Sequence, residues 1–158
     1  MKYALPGLTP PQEAAWRGYV SVHFLLHAHL ERELMRRDGL SESDFSVLVT
    51  LLEADEQRRR FGDLRTELGW TKSRLSRQLT RMESRTLIAK QNLDTDGRAV
   101  VVILTQTGRD VILAATPAHY QDVRRWFLDS LTPAQLKTIV EVSSAVLARL
   151  PRDSRTTS

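Results

Sequence analysis

At 158 residues with a formal net charge of +4, the chain is long enough to bury one core, and its modest basic excess admits nucleic acid, an anionic membrane or plain surface chemistry. The absence of cysteine excludes disulfides, thiolate metal sites and cysteine redox sensing, and fits a reducing cytoplasm. The first nine residues lack an apolar core behind a basic region and no run of about 18 apolar residues occurs, so a soluble, cytoplasmic, untargeted protein with no membrane partner is expected.

Thr9, Pro10 and Gln12 read as an N-cap, a proline at the first helical position and a capping-box partner, so a long helix starts near Pro10. Trp16, Tyr19, Val20, His23, Leu26, Leu30 and Leu34 recur at spacings of three and four until Asp38-Gly39 supplies a left-handed stop. Ser41 with Asp44 opens a second helix that carries Phe45, Leu48, Val49 and Leu52 on one side and ends in the polar run 53–60. Residues 62–68 form a short third helix buried through Leu64 and Leu68, and Gly69-Trp70-Thr71 is a turn with Thr71 as the next N-cap. Helix, three-residue turn, helix is a helix-turn-helix signature.

The helix after that turn places Leu75, Leu79 and Met82 on one face and Ser73, Arg77, Thr80 and Ser84 on the other. Between Thr71 and Arg85 there are five basic residues, Lys72, Arg74, Arg77, Arg81 and Arg85, against one acid, Glu83. Such a surface seeks phosphate. Residues 88–93 and 99–104 then read as strands, with Asp94-Thr95-Asp96-Gly97-Arg98 as turn chemistry between them, so a β-hairpin wing is expected. Thr105 caps a further helix that Pro117 should kink or interrupt before it continues through Val123, Trp126 and Phe127. Thr132, Pro133 and Gln135 repeat the first cap and open a last helix with Leu136, Ile139, Val140, Val146 and Leu147, which stops by Pro151 ahead of a polar, disorder-prone tail.

No nucleophile elbow, phosphate loop or defined acid pair occurs, so no catalytic residue and no cofactor is assigned, and the chain does not read as an enzyme. His23, His27 and Glu31 share a stripe of the first helix at i, i+4, i+8. Without a visible fourth ligand or outer shell the stripe reads as the lining of a subunit interface or ligand cleft, and no metal ligand is assigned; a metal-responsive regulator built on His23 and His27 is the alternative.

The Lys72-Ser73-Arg74-Leu75-Ser76-Arg77 opening of the basic helix, the Asp94, Asp96 and Arg98 wing, and the Leu104-Thr105 and Gly108 that follow resemble the MarR family of winged helix-turn-helix regulators, with the resemblance running from about Trp16 to Leu150. The fold class it implies is mainly α with a small β-hairpin wing, as one domain over 1–158 with dimerisation helices at 10–37 and 106–150 and a winged helix-turn-helix DNA-binding lobe at 41–104. The function implied is a sequence-specific regulator of transcription: a homodimeric repressor on a palindromic double-stranded operator, released by a small aromatic, phenolic ligand. One residue departs from the family pattern. Thr86 stands where glycine is usual after the recognition helix, so the turn either differs or is strained.

On this reading Thr71, Lys72, Ser73, Arg74, Ser76, Arg77 and Arg81 contact DNA from the basic helix. Arg77 and Ser73 lie nearest the base edges, whereas Lys72, Arg74 and Arg81 hold phosphates. The resemblance sends Arg98, oriented by Asp96, into the minor groove. It also implies a ligand between the dimerisation helices and the lobe, where Trp16, Tyr19, His23, Phe45 and Trp126 would gather unless those aromatics are ordinary core. A winged module that mediates interactions or bends DNA without reading its sequence is the alternative from another class.

Overall fold

The computed structural model describes residues 5–92 and 100–151. The expected wing tip, with Asp94, Asp96 and Arg98, and the polar tail at 152–158 lie outside the described residues. Helix α1 spans Pro10–Asp38, with the Thr9 N–H donating to Gln12 Oε1 at 2.9 Å and Gly39 closing the helix at φ 64. Helix α2, Glu42–Leu52, opens on a reciprocal box: the Asp44 N–H donates to Ser41 Oγ and the Ser41 N–H to Asp44 Oδ2, both at 3.0 Å. After a tight turn come β1 (Arg58–Arg60), α3 (Phe61–Leu68) and α4 (Lys72–Ser84). The chain continues through β2 (Ile88–Asn92), β3 (Val100–Leu104), α5 (Gln106–Trp126) and α6 (Pro133–Leu147).

Three features differ from the sequence-based expectation. The polar run after α2 contains a strand: β1 joins the hairpin to make an antiparallel sheet in the order β1-β3-β2, with Arg59 opposite Val102. Three consecutive arginines carry no apolar alternation, and β1 exists because the edge of β3 offers a ladder to pair with. The turn into β1 holds Glu56 and Gln57 both at φ 53, a pair of left-handed residues that no Asn-Gly announces. Helix α5 also runs uninterrupted through Pro117. Proline deprives one carbonyl in the preceding turn of its donor, and at the exposed Leu113 water can replace that donor while Ile112 and Ala115 stay buried on the other face. Finally, the face that α2 buries is centred on Asp44, Val47, Leu48 and Leu51, with Phe45 beside it, while Val49 and Leu52 are half-buried. That shift follows from position, because α2 packs against α1, α3, α4, α5 and β3 at once.

The core gathers Leu34 and Leu40, the inner face of α2, Leu64, the Leu75-Leu79-Met82 stripe of α4, Leu87, Ile88, Val102, Leu104 and Ile112. All of it lies in the lobe and its junction with α1 and α5. The helix-turn-helix is therefore rigidly seated, whereas α1 buries only Leu34 and α6 buries no residue. Thr86 adopts φ 58, so the turn after α4 keeps the left-handed geometry and a β-branched residue bears the strain, on the order of 1 to 3 kcal/mol. Thr105 holds that turn: its hydroxyl lies 2.6 Å from the Thr86 carbonyl oxygen and 2.9 Å from that of Leu87.

Candidate nucleic-acid interface

Thr71 caps α4, its Oγ1 accepting from the Arg74 N–H at 3.3 Å, and Gly69 at φ 64 turns the chain out of α3. The burial pattern of α4 is sharp: Leu75, Gln78, Leu79 and Met82 are buried, while Lys72, Ser73, Arg74, Ser76, Arg77 and Arg81 are exposed. Buried residues at i, i+3, i+4 and i+7 leave the opposite side as one continuous polar face. Glu83, the single acid, is neutralised by Lys90 of β2 at 2.7 Å, so it offsets little of the positive field.

The five basic residues divide by their surroundings. Lys72 and Arg77 make no hydrogen bond or ion pair among the described residues, and neither does the Ser73 side chain. Arg74 lies across the Trp70 ring, 4.2 Å from its centroid, with Nη2 donating to Ser43 Oγ at 3.5 Å. Arg81 donates through Nη2 to Gln78 Oε1. Arg85 is engaged at both ends of its fork instead: Nη1 donates to Asp44 Oδ2 and Nη2 to the Gly39 carbonyl, each at 2.9 Å. Its charge joins α4 to the α1–α2 junction.

Behind the exposed face is a polar network that the sequence reading missed. Gln78 and Asp44 are both buried, and Gln78 Nε2 donates to Asp44 Oδ1 at 2.6 Å. A signal was present, because Gln78 occupies the i+3 place in the Leu75-Leu79-Met82 stripe and so had to be buried. Its partner, 34 residues earlier, had no such signal.

The aromatics do not gather in one place. Trp16, Tyr19 and His23 form a ladder along α1 with ring separations of 5.9 and 6.2 Å. Phe45 packs on the other side of the lobe against His119 of α5 at 4.2 Å, where burial holds the His119 imidazole below its ordinary pKa. Trp126 sits edge-on to His29. A cleft of about 440 Å³ opens between α1 and the helix-turn-helix, lined by His23, Phe24, His27, Glu42, Trp70 and Arg74 among others. Of the expected ligand residues, only His23 reaches it. Phe24, Trp70 and Arg74 supply the aromatic and cationic walls. His27 Nδ1 lies 2.5 Å from Glu42 Oε1, and among the described residues no cluster of three His, Asp or Glu side chains has metal-ligating geometry.

Solved structures share this fold. AbsC of Streptomyces coelicolor, a MarR family transcriptional regulator, is 33% identical, with a TM-score of 0.83 over 94% of this chain and 97% of its own. The chain belongs to the MarR family of transcriptional regulators. Sco3205 of the same organism, a MarR family regulator solved in complex with DNA, is 30% identical with a TM-score of 0.87, covering 97% of both chains. Residues 29–114 of this MarR-family protein match the profile of the family described as transcriptional regulator SarA/Rot. A mutant MarR from E. coli, complexed with operator DNA, shares the fold at 23% identity and a TM-score of 0.73, over 83% of this chain and 91% of its own. No curated protein matches the chain. Among the described residues, no helix of this MarR-family protein is long and apolar enough to cross a membrane.

Proposed function

We propose that this MarR-family protein is a sequence-specific, double-stranded DNA-binding regulator, without enzymatic activity, that acts in the cytoplasm as a homodimeric repressor on a palindromic operator. The observation that carries the reading is the solvent-facing side of α4, where Lys72, Ser73 and Arg77 stand free of partners among the described residues on a fold shared with the DNA-bound Sco3205. An unpartnered guanidinium on a rigid recognition helix can donate two hydrogen bonds to a guanine edge. Arg77→Ala should therefore cost about 1 to 3 kcal/mol on the operator and much less on random DNA. Affinities for a selected operator and a random duplex check this; equal losses on both would remove Arg77 as a base reader. Thr71, Lys72, Arg74, Ser76 and Arg81 are assigned phosphate and positioning contacts, and Arg98 with Asp96 the neighbouring minor groove.

The repressor is released, on this reading, by a small aromatic acid in the cleft between α1 and the helix-turn-helix. A volume of about 440 Å³ suits a drug-sized molecule, Phe24 and Trp70 offer ring faces, and Arg74 offers a cation that belongs to the recognition helix itself. A ligand bound there touches α4 directly, so its preference for the free protein sets how far DNA binding falls. Titration with a panel of benzoate and phenol derivatives should quench tryptophan fluorescence and release DNA at the same concentrations. Release of DNA that a Trp70→Phe, Arg74→Ala double variant leaves unaltered would place the ligand elsewhere.

A further inference from the structure

Gln78 is an anomaly on α4. It is 2% exposed in a stripe whose other members are Leu75, Leu79 and Met82. A leucine would fill that place with hydrocarbon, whereas a buried amide is tolerated only when both of its ends are hydrogen-bonded. Both ends are. Nε2 donates to Asp44 Oδ1 at 2.6 Å and Oε1 accepts from Arg81 Nη2. The partners leave the amide a single orientation, since a carboxylate only accepts and a guanidinium only donates. Asp44 is fixed in turn by the Ser41 N–H at 3.0 Å and by Arg85 Nη1 at 2.9 Å. An unbroken set of hydrogen bonds thus runs from the α1–α2 junction, through the buried face of α4, to one guanidinium on its surface.

We propose that Gln78 is a positioning residue for DNA binding, which holds the Arg81 guanidinium in the orientation that grips a backbone phosphate. The proposal rests on the reading of α4 as the DNA-facing helix. Arg81 is exposed and spends one of its five donors on Gln78; its other donors make no contact among the described residues. A planar guanidinium can give one edge to the amide and another to a phosphate, and a side chain already held loses less rotamer freedom on binding. The amide supplies orientation without neutralising the charge that phosphate recognition uses.

The test is a double-mutant cycle on the full chain, read with two probes: a duplex selected by the wild-type protein from a random pool, and an unselected duplex, each titrated over a salt series. Arg81→Ala should weaken both duplexes by on the order of tenfold and lower the slope of log affinity against log salt by about one. Gln78→Met, which keeps the length and packing but not the amide, should weaken both by about threefold or more; in the Arg81→Ala background it should add nothing. An equal loss from Gln78→Met in both backgrounds, or none in the first, overturns the proposal. Should Gln78→Met fail to fold, Arg81→Lys decides, because it keeps the charge without the fork: affinity lost alongside Arg81→Ala supports the proposal and full retention overturns it. The underlying reading fails separately, if the folded wild-type protein binds neither duplex.

Discussion

Replacing Gly108 by alanine is expected to remove a large part of the stability of the fold. A Cβ at this position would lie 2.0 Å from the carbonyl oxygen of Leu87 and 3.0 Å from Leu104 Cδ1. The first clash is with backbone, so no rotamer change relieves it. The same carbonyl lies 2.9 Å from Thr105 Oγ1, and Thr105 Oγ1 accepts from the Gly108 N–H at 3.0 Å. Moving α5 away would therefore break the cap of α5 and loosen the left-handed turn at Thr86 together. Overpacking typically costs about 1 to 3 kcal/mol. Here three elements meet at one backbone atom, and a loss beyond about 3 kcal/mol is expected against the roughly 5 to 15 kcal/mol of an ordinary domain. Gly62→Ala is the control, since a Cβ there meets nothing within 4 Å, and it should change stability by no more than about 0.5 kcal/mol. Urea unfolding of the two variants measures the contrast; similar midpoints would show that the junction of α5 with the wing is soft.

The second large effect concerns α6. This helix of 15 residues has a reciprocal cap at Thr132 and Gln135 and carries Leu136, Ile139 and Val140 on one stripe, yet those side chains are 36%, 36% and 65% exposed. Val146 and Leu147 extend the apolar surface at 52% and 63%, and Leu25 of α1 is 72% exposed. Exposed apolar side chains in this number are expected to meet a partner, and in the proposed homodimer a second copy of the chain would supply a self-complementary one. Changing Leu136, Ile139 and Val140 together to glutamine, a good helix former, should leave the fold of the lobe intact while separating the subunits. Two linked lobes gain about 10²- to 10⁴-fold in avidity over one, so operator affinity should fall by that range while the affinity of a single half-site stays unchanged. Sedimentation and operator binding on the same samples provide the check. A wild-type protein that is monomeric at micromolar concentration and still binds the operator fully would overturn the dimer.

Residues close in sequence determined much of this protein. Thr9, Ser41, Thr71, Thr105 and Thr132 each announce a helix start by side chains that reach only three positions ahead, and every one is realised as a cap. The Leu75-Leu79-Met82 spacing placed the polar face of α4 for the same reason: helical geometry is local. Strand β1 was not legible, because Arg58–Arg60 become a strand only when β3 is beside them. The continuation of α5 past Pro117 was legible but its lack of a break was not, since packing of Ile112 and Ala115 outweighs one missing hydrogen bond. The aromatics that the family resemblance would gather in one cleft are separated in space, with Phe45 against His119 of α5 while Trp16 and Tyr19 stay exposed on α1. Tertiary structure alone decided which charges are paired. Arg77 and Arg85 are equivalent by composition and both exposed, but Asp44, 41 residues before Arg85, engages one of them and leaves the other without a partner among the described residues. A carboxylate buried on α2 needs donors wherever the fold brings them, and no local rule names a partner so far along the chain.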